Sequence, residues 1–218
     1  MSDVFKNADA KLKKAFISGN SGNIVTCMAR MMYANVVTPG YPSKNERRPE
    51  KKQWQIQLLI PEGADIKVLR DKVEEVASDN LTKAQKAGNA KWKNPIKDTA
   101  AQATFAGFAE DYPVVISANA KCFQKDGKPR PAPDVVLSNS KPMPAVDEAE
   151  ECYNGRWCRV SLNPYWYDNE NIGVSLGLVN VQLLANDDPL AGGKVSADRE
   201  FEAVGDGLDD LENGADFE

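Results

Sequence analysis

Residues 53–60 alternate: Trp54, Ile56, Leu58 and Ile60 fall on one face, and Gln53, Gln55 and Gln57 on the other. Side chains of a strand point alternately to two sides, so this run predicts a half-buried strand with a polar outer face. Upstream, residues 24–37 are rich in β-branched and large apolar side chains with no breaker before Pro39, which predicts a long first strand. Residues 39–52, with three prolines, two arginines, three lysines and Tyr41, read as a basic loop. After Asp65 the period lengthens. Ile66, Leu69, Val73, Val76 and Leu81 recur every three to five residues, which predicts one amphipathic helix capped by Asp65 and stopped at Gly88. Residues 89–112 give no firm periodicity.

The second half returns to alternation. Val114, Ile116, Ala118, Ala120 and Cys122 oppose Ser117, Asn119, Lys121 and Phe123 in a third strand. Residues 156–167 form a fourth, with Cys158, Val160 and Leu162 inward and Trp157, Arg159, Ser161, Asn163 and Tyr165 outward; residues 172–184 form a fifth. Asp126-Gly127 and Asn154-Gly155 are tight-turn dipeptides, and the proline-rich stretch between them leaves room only for a short strand around residues 135–137. Five long strands, one packed helix and long basic loops predict a mainly β fold with one or two helices, an OB-fold-like five-stranded Greek-key β-barrel.

Charge divides the chain. Residues 198–218 carry nine carboxylates and one arginine, and this net −8 leaves +3 for residues 1–197 of a chain whose total is −5. The expected organisation is a flexible basic N-terminal segment (1–22), one folded domain (23–197) and a disordered acidic tail (198–218). The start of the chain lacks a signal peptide's apolar core and no stretch approaches the length that spans a bilayer, so a soluble protein of the cytoplasm is expected, with no membrane partner.

Composition also removes chemistries. The chain has no histidine, which excludes the Ser-His and Cys-His nucleophile pairs and mixed zinc sites. Its four cysteines form no Cys-x-x-Cys pair, and Cys122 and Cys158 read as buried free thiols. The strands are almost free of acids, which argues against a carboxylate-metal nuclease, and neither glycine-rich phosphate-binding motif is present. No catalytic residue, metal or cofactor is expected.

Cations interleaved with rings are what a surface needs to hold phosphates and stack bases together. Alternation brings Trp157, Arg159 and Tyr165 to one side of the fourth strand and Lys121 and Phe123 to the matching side of the third, with Lys125 and Arg156 adjacent. Arg47, Arg48, Lys51 and Lys52 come from the basic loop. Arg30 and Tyr33 lie on opposite faces of the first strand, so both serve only if a bulge intervenes. The competing reading packs Trp157 and Tyr165 beneath the N-terminal segment or the 89–112 insertion. In the tail, Asp209, Asp210, Glu212, Asp216, Phe217 and Glu218 suit a linear motif that docks in an apolar pocket ringed by cations, or folds back onto the chain's own basic groove.

Several segments resemble a phage family of single-stranded DNA-binding proteins. They are Arg30-Met31-Met32-Tyr33-Ala34-Asn35, the run from Trp54 to Pro61, Asn119-Ala120-Lys121, Tyr153-Asn154-Gly155-Arg156-Trp157, the run from Gly173 to Gln182, and Pro189-Leu190-Ala191-Gly192-Gly193. The resemblance spans most of residues 24–193 and implies an OB fold and binding of single-stranded DNA in replication or recombination. The helix after the second strand departs from the usual OB order. The tail is similar to those of bacterial and T7-type phage single-strand binding proteins, which recruit replication enzymes; those tails commonly finish on the aromatic, whereas Glu218 follows Phe217 here. The expected partners are single-stranded DNA and replication proteins such as a polymerase, primase or helicase, with a homo-oligomer left open. The rival reading is a scaffolding β-barrel with a solubilising tail.

Overall fold

The computed structural model describes residues 2–82, 85–86, 91–144, 147–169 and 171–190. In chain order the strands are β1 (Phe16–Ile17), β2 (Ile24–Val25), β3 (Ala29–Gly40), β4 (Gln53–Ile60), β5 (Ile96–Asp98), β6 (Val114–Lys121), β7 (Asp134–Val136), β8 (Trp157–Asp168) and β9 (Ile172–Ala185). The five long ones close on themselves. β3 pairs β4, β4 pairs β6, β8 pairs β9 and β8 pairs β3, all antiparallel, while β6 pairs β9 in parallel. This is the ring order of an OB-type barrel, and closure leaves the five strands few unpaired edges. β1 and β2 extend the sheet from β8, and β7 lies beside the end of β9.

The first strand is interrupted where a continuous one was expected. Thr26 is buried and its hydroxyl accepts the Val160 N–H at 3.1 Å, while Met28 donates its own N–H to the Leu12 carbonyl at 2.7 Å. Thr26–Met28 therefore steps the chain from one site on β8 to another, which periodicity alone does not register.

Two helices matter. α1 (Asp3–Lys6) sits at the start, and α2 (Lys67–Asn80) packs against β8 and β9 with Leu69, Val73 and Ala77 buried. The N-cap position of α2 is Ile66 rather than the expected Asp65, which stands one residue earlier and accepts the Lys67 N–H at 3.0 Å. The helix ends at Asn80, earlier than the expected stop at Gly88, which lies outside the described residues. The reason is local: Thr82 and Gln85 exchange side-chain bonds with each other's N–H groups, at 2.8 and 3.2 Å, the reciprocal capping that begins a helix rather than continues one. No described helix is long and apolar enough to cross a membrane.

Inside the ring, Met31, Ile56, Leu58, Ile116, Cys158, Val160, Leu162 and Leu176 form the main core. A second layer covers one outer patch of the same wall: Phe5, Met28, Met32, Leu59, Phe105, Tyr112, Val115 and Trp157. The lead-in expected as flexible is docked here, with Phe5 stacked on Trp157 at 6.0 Å and an interplanar angle of 12°. The chain leaves β9 across the same patch. Gly155 permits this, because its φ is +105° and an added Cβ would lie 2.6 Å from the Leu190 nitrogen.

Candidate nucleic-acid interface

Closing the barrel brings the polar faces of five strands into one belt. Asn35 faces Gln55, Gln55 faces Asn119, Asn119 faces Gly177, and Gly177 faces Asn163. The neighbouring row holds Gln57, Ser117, Ser175 and Tyr165, with Gln57 donating from Nε2 to the Ser117 hydroxyl at 3.4 Å. Such a surface is uncharged and polar.

Two tyrosines flank it. Tyr165 is 41 % exposed and its ring lies near Gly177, where an added Cβ would be 3.6 Å from the ring edge. Tyr33 is 46 % exposed. Its φ of +47° is rare for a bulky residue, and it sits in the register shift between Met32 and Asn35. The Asn154 side-chain oxygen accepts the Tyr33 N–H at 2.7 Å, and the ring tilts against Phe105 at 5.9 Å. A bulge thus does intervene on the first strand, and it turns Tyr33 outward.

The belt runs down into a cleft of about 750 Å³ between the 41–52 loop and the hairpin after β6. Pairing of Gln53 with Lys121 and of the Cys122 N–H with the Lys52 carbonyl (3.1 Å) seats the two loops side by side. Lys51, Lys121, Lys125 and Arg130 line the cleft with Phe123 and Gln53, against one carboxylate, Glu50. Among the described residues none of these four cations takes part in an ion pair. Arg130 was not among the residues singled out from the sequence; its N–H donates to the Cys122 carbonyl at 2.7 Å and places it beside Lys121, a proximity set by the folded hairpin. Lys52 stands 5.5 Å from the Tyr41 ring centroid at the cleft's margin.

Other expected contacts are placed elsewhere. Trp157 is 0 % exposed, so it cannot stack a base. The register of β8 against β9 shifts between Trp157 and Cys158, and the ring goes under α1 instead of joining Arg159 and Tyr165. Arg30 is buried above that ring at 5.1 Å and donates to the Asp187 carboxylate at 2.8 Å. Arg156 is buried and paired with Glu151 at 2.5 Å. Arg48 forks onto Glu46 through bonds of 2.9 and 2.7 Å, whose donors hold the Glu46 carboxyl down to about 2. Arg47 is exposed and donates from Nη1 to the Glu46 carbonyl at 2.7 Å. Three of the five arginines first counted toward a phosphate surface are therefore spent on carboxylates. Arg159 keeps the outward direction expected of it but stands apart from the cleft, bonded to Gln182. The tail residues Asp209, Asp210, Glu212, Asp216, Phe217 and Glu218 lie outside the described residues.

Cys27, Cys122 and Cys158 are buried, and burial pushes the Cys27 thiol up to about 12 and the Cys158 thiol upward as well. Among the described residues no cluster of three or more Cys, Asp or Glu side chains is placed to hold a metal ion.

Comparison with known proteins bears on the family and the fold. Residues 22–212 match the family described as the single-stranded DNA-binding protein of Enterobacter phage Enc34. The solved structure of the bacteriophage Enc34 single-stranded DNA-binding protein in complex with single-stranded DNA superposes with a TM-score of 0.63 at 22 % identity, covering 82 % of this chain and 94 % of that one. Another solved structure of the Enc34 protein gives 0.58 at 22 % identity, covering 87 % and 95 %. The bacteriophage T7 single-stranded DNA-binding protein gp2.5 gives 0.51 at 19 % identity, covering 84 % and 95 %. At these identities the structural likeness concerns the fold. No curated protein sequence matches the chain.

Proposed function

The chain belongs to the Enc34 family of phage single-stranded DNA-binding proteins, and from that membership we propose that it coats single-stranded DNA with little sequence preference along the belt and cleft described above. One observation carries the reading: an uncharged polar belt, flanked by Tyr33 and Tyr165, opens into a cleft whose four cations have no carboxylate partner among the described residues. OB folds use the face of their second and third strands and the loop between the first two for oligonucleotides, which here are β4, β6 and residues 41–52. Phosphates would take Lys51, Lys121, Lys125 and Arg130, with Arg47 and Lys52 at the margin. Tyr165, Tyr33 and Phe123 would stack bases, and every base offers a ring face, so sequence matters little. The role is one of binding, without a catalytic step.

Tyr165→Ala should weaken binding by about 1 to 3 kcal/mol, roughly 5- to 150-fold in Kd, with the fold unchanged. Trp157→Ala should instead lower thermal stability, because it empties the second core layer. Fluorescence anisotropy with a labelled oligonucleotide and a melting curve on each variant separate the two. A barrel that serves only as a protein scaffold would shift no oligonucleotide at any salt concentration.

The acidic arm, residues 198–218, is proposed to recruit replication proteins through Phe217 and its flanking carboxylates, and to compete with DNA for the cleft cations. Deleting it should tighten DNA binding at low salt and abolish capture of a polymerase or primase. A weaker DNA complex after truncation would contradict the competition.

A further inference from the structure

The outward face of β8 does not end at Tyr165. Arg159, Ser161, Asn163 and Tyr165 alternate along it, and β9 sets Gln182, Asn180, Gly177 and Ser175 against them in turn. From Tyr165 to Arg159 is about 20 Å at about 3.3 Å per residue. The polar belt therefore continues to a second place where an arginine meets a ring. The Arg159 guanidinium lies 5.9 Å from the centroid of Phe16, which is 41 % exposed on the β1–β2 hairpin. Its Nε donates to the Gln182 side-chain oxygen at 2.7 Å, which fixes the plane of the group. Among the described residues its two Nη groups have no partner. With Val25, Val136 and Ser161 among others, Phe16 and Arg159 line a cleft of about 250 Å³ to which no carboxylate contributes among the described residues. Partial burial disfavours the charged guanidinium, so an unanswered cation here is held at a cost that an anionic ligand would relieve.

We propose that Phe16 and Arg159 form a second nucleotide subsite, in which a base stacks on Phe16 and the adjoining phosphate takes the open Nη donors of Arg159. This rests on the single-stranded DNA reading and adds a footprint to it. The occupant is the same strand that lies on Tyr165, because the half-buried Ser161 and the exposed Asn163 join the two places along the same face of β8. A strand long enough to reach both falls within the roughly 4 to 16 nucleotides that one OB fold covers.

The test titrates the full-length protein with thymidine oligonucleotides of about 5 and about 16 nucleotides. Phe16→Ala and Arg159→Gln should each weaken the longer one by roughly 5- to 150-fold and the shorter one by less than about twofold. Phe16→Tyr, which retains a ring, should restore the longer one. Equal loss at both lengths, or no loss at either, overturns the subsite. Wild-type protein that binds neither oligonucleotide is a separate result, and it would remove the single-stranded DNA reading itself.

Discussion

Asp187→Ala is expected to remove about 3 to 5 kcal/mol from the unfolding free energy, the usual cost of stranding one member of a buried ion pair. Domains of this size are stable by about 5 to 15 kcal/mol, so the variant should approach the limit of folding. The reason is the number of groups that meet at one carboxylate. Its Oδ2 accepts from Arg30 at 2.8 Å, from the Trp157 indole at 2.7 Å and from the Ser2 hydroxyl. Arg30 is in turn bonded to the Asp188 carbonyl and stacked over Trp157. Removing Asp187 leaves a buried guanidinium without its carboxylate and frees both the N-terminal segment and the exit from β9. Asp187→Asn keeps an acceptor for the indole and should cost less. A urea midpoint unchanged in Asp187→Ala would mean that Phe5 and the apolar layer hold the termini alone.

The same carboxylate makes a pH statement. Burial pushes its pKa up, but the bonds from Ser2, Trp157 and the Asp188 N–H, together with Arg30, hold it below the ordinary 3.8. A depressed folded pKa stabilises the native state fully above the unfolded value, and that contribution is lost as pH falls through the folded one. Stability measured from pH 7 downward should therefore drop below about pH 4 in the wild type, and Asp187→Asn should lack that component.

These two results bear on what sequence can and cannot convey. β4 was legible to the residue, because Gln53–Ile60 alternates strictly along most of its length and one side of it faces water. Trp157 was not, although the signal was present. Apolar doublets at Met31-Met32, Leu58-Leu59, Val115-Ile116 and Trp157-Cys158 recur on neighbouring strands, and each marks a place where the wall is covered on both faces. Reading each strand with a strict period of two sends Trp157 to solvent; reading the four doublets together would have covered it. The spent arginines are harder to foresee. Asp187 meets Arg30 across 157 positions of sequence, and only the completed barrel brings them together. The cleft has the same origin, since Lys51 and Arg130 become neighbours through the pairing of Gln53 with Lys121.

The largest effect on DNA binding should come from removing the cleft's charge. Each phosphate neutralised on a single strand contributes about 0.7 to the slope of log K against log salt concentration. Replacing Lys51, Lys121, Lys125 and Arg130 with alanine should flatten that slope by about 2.8 and weaken the complex most at low salt. The fold should survive, because none of the four is buried or ion-paired among the described residues. Alanine substitution of Arg30, Arg48 and Arg156 instead would be uninformative, since two of those three hold the structure together and the third already answers Glu46. Oligonucleotide titrations from about 50 to about 200 mM salt read the slope directly. Tyr165→Ala supplies the contrast: stacking carries no counterion, so that variant should shift the whole line downward and leave its slope alone. Parallel lines for the quadruple variant and the wild type would place the phosphates elsewhere on the barrel.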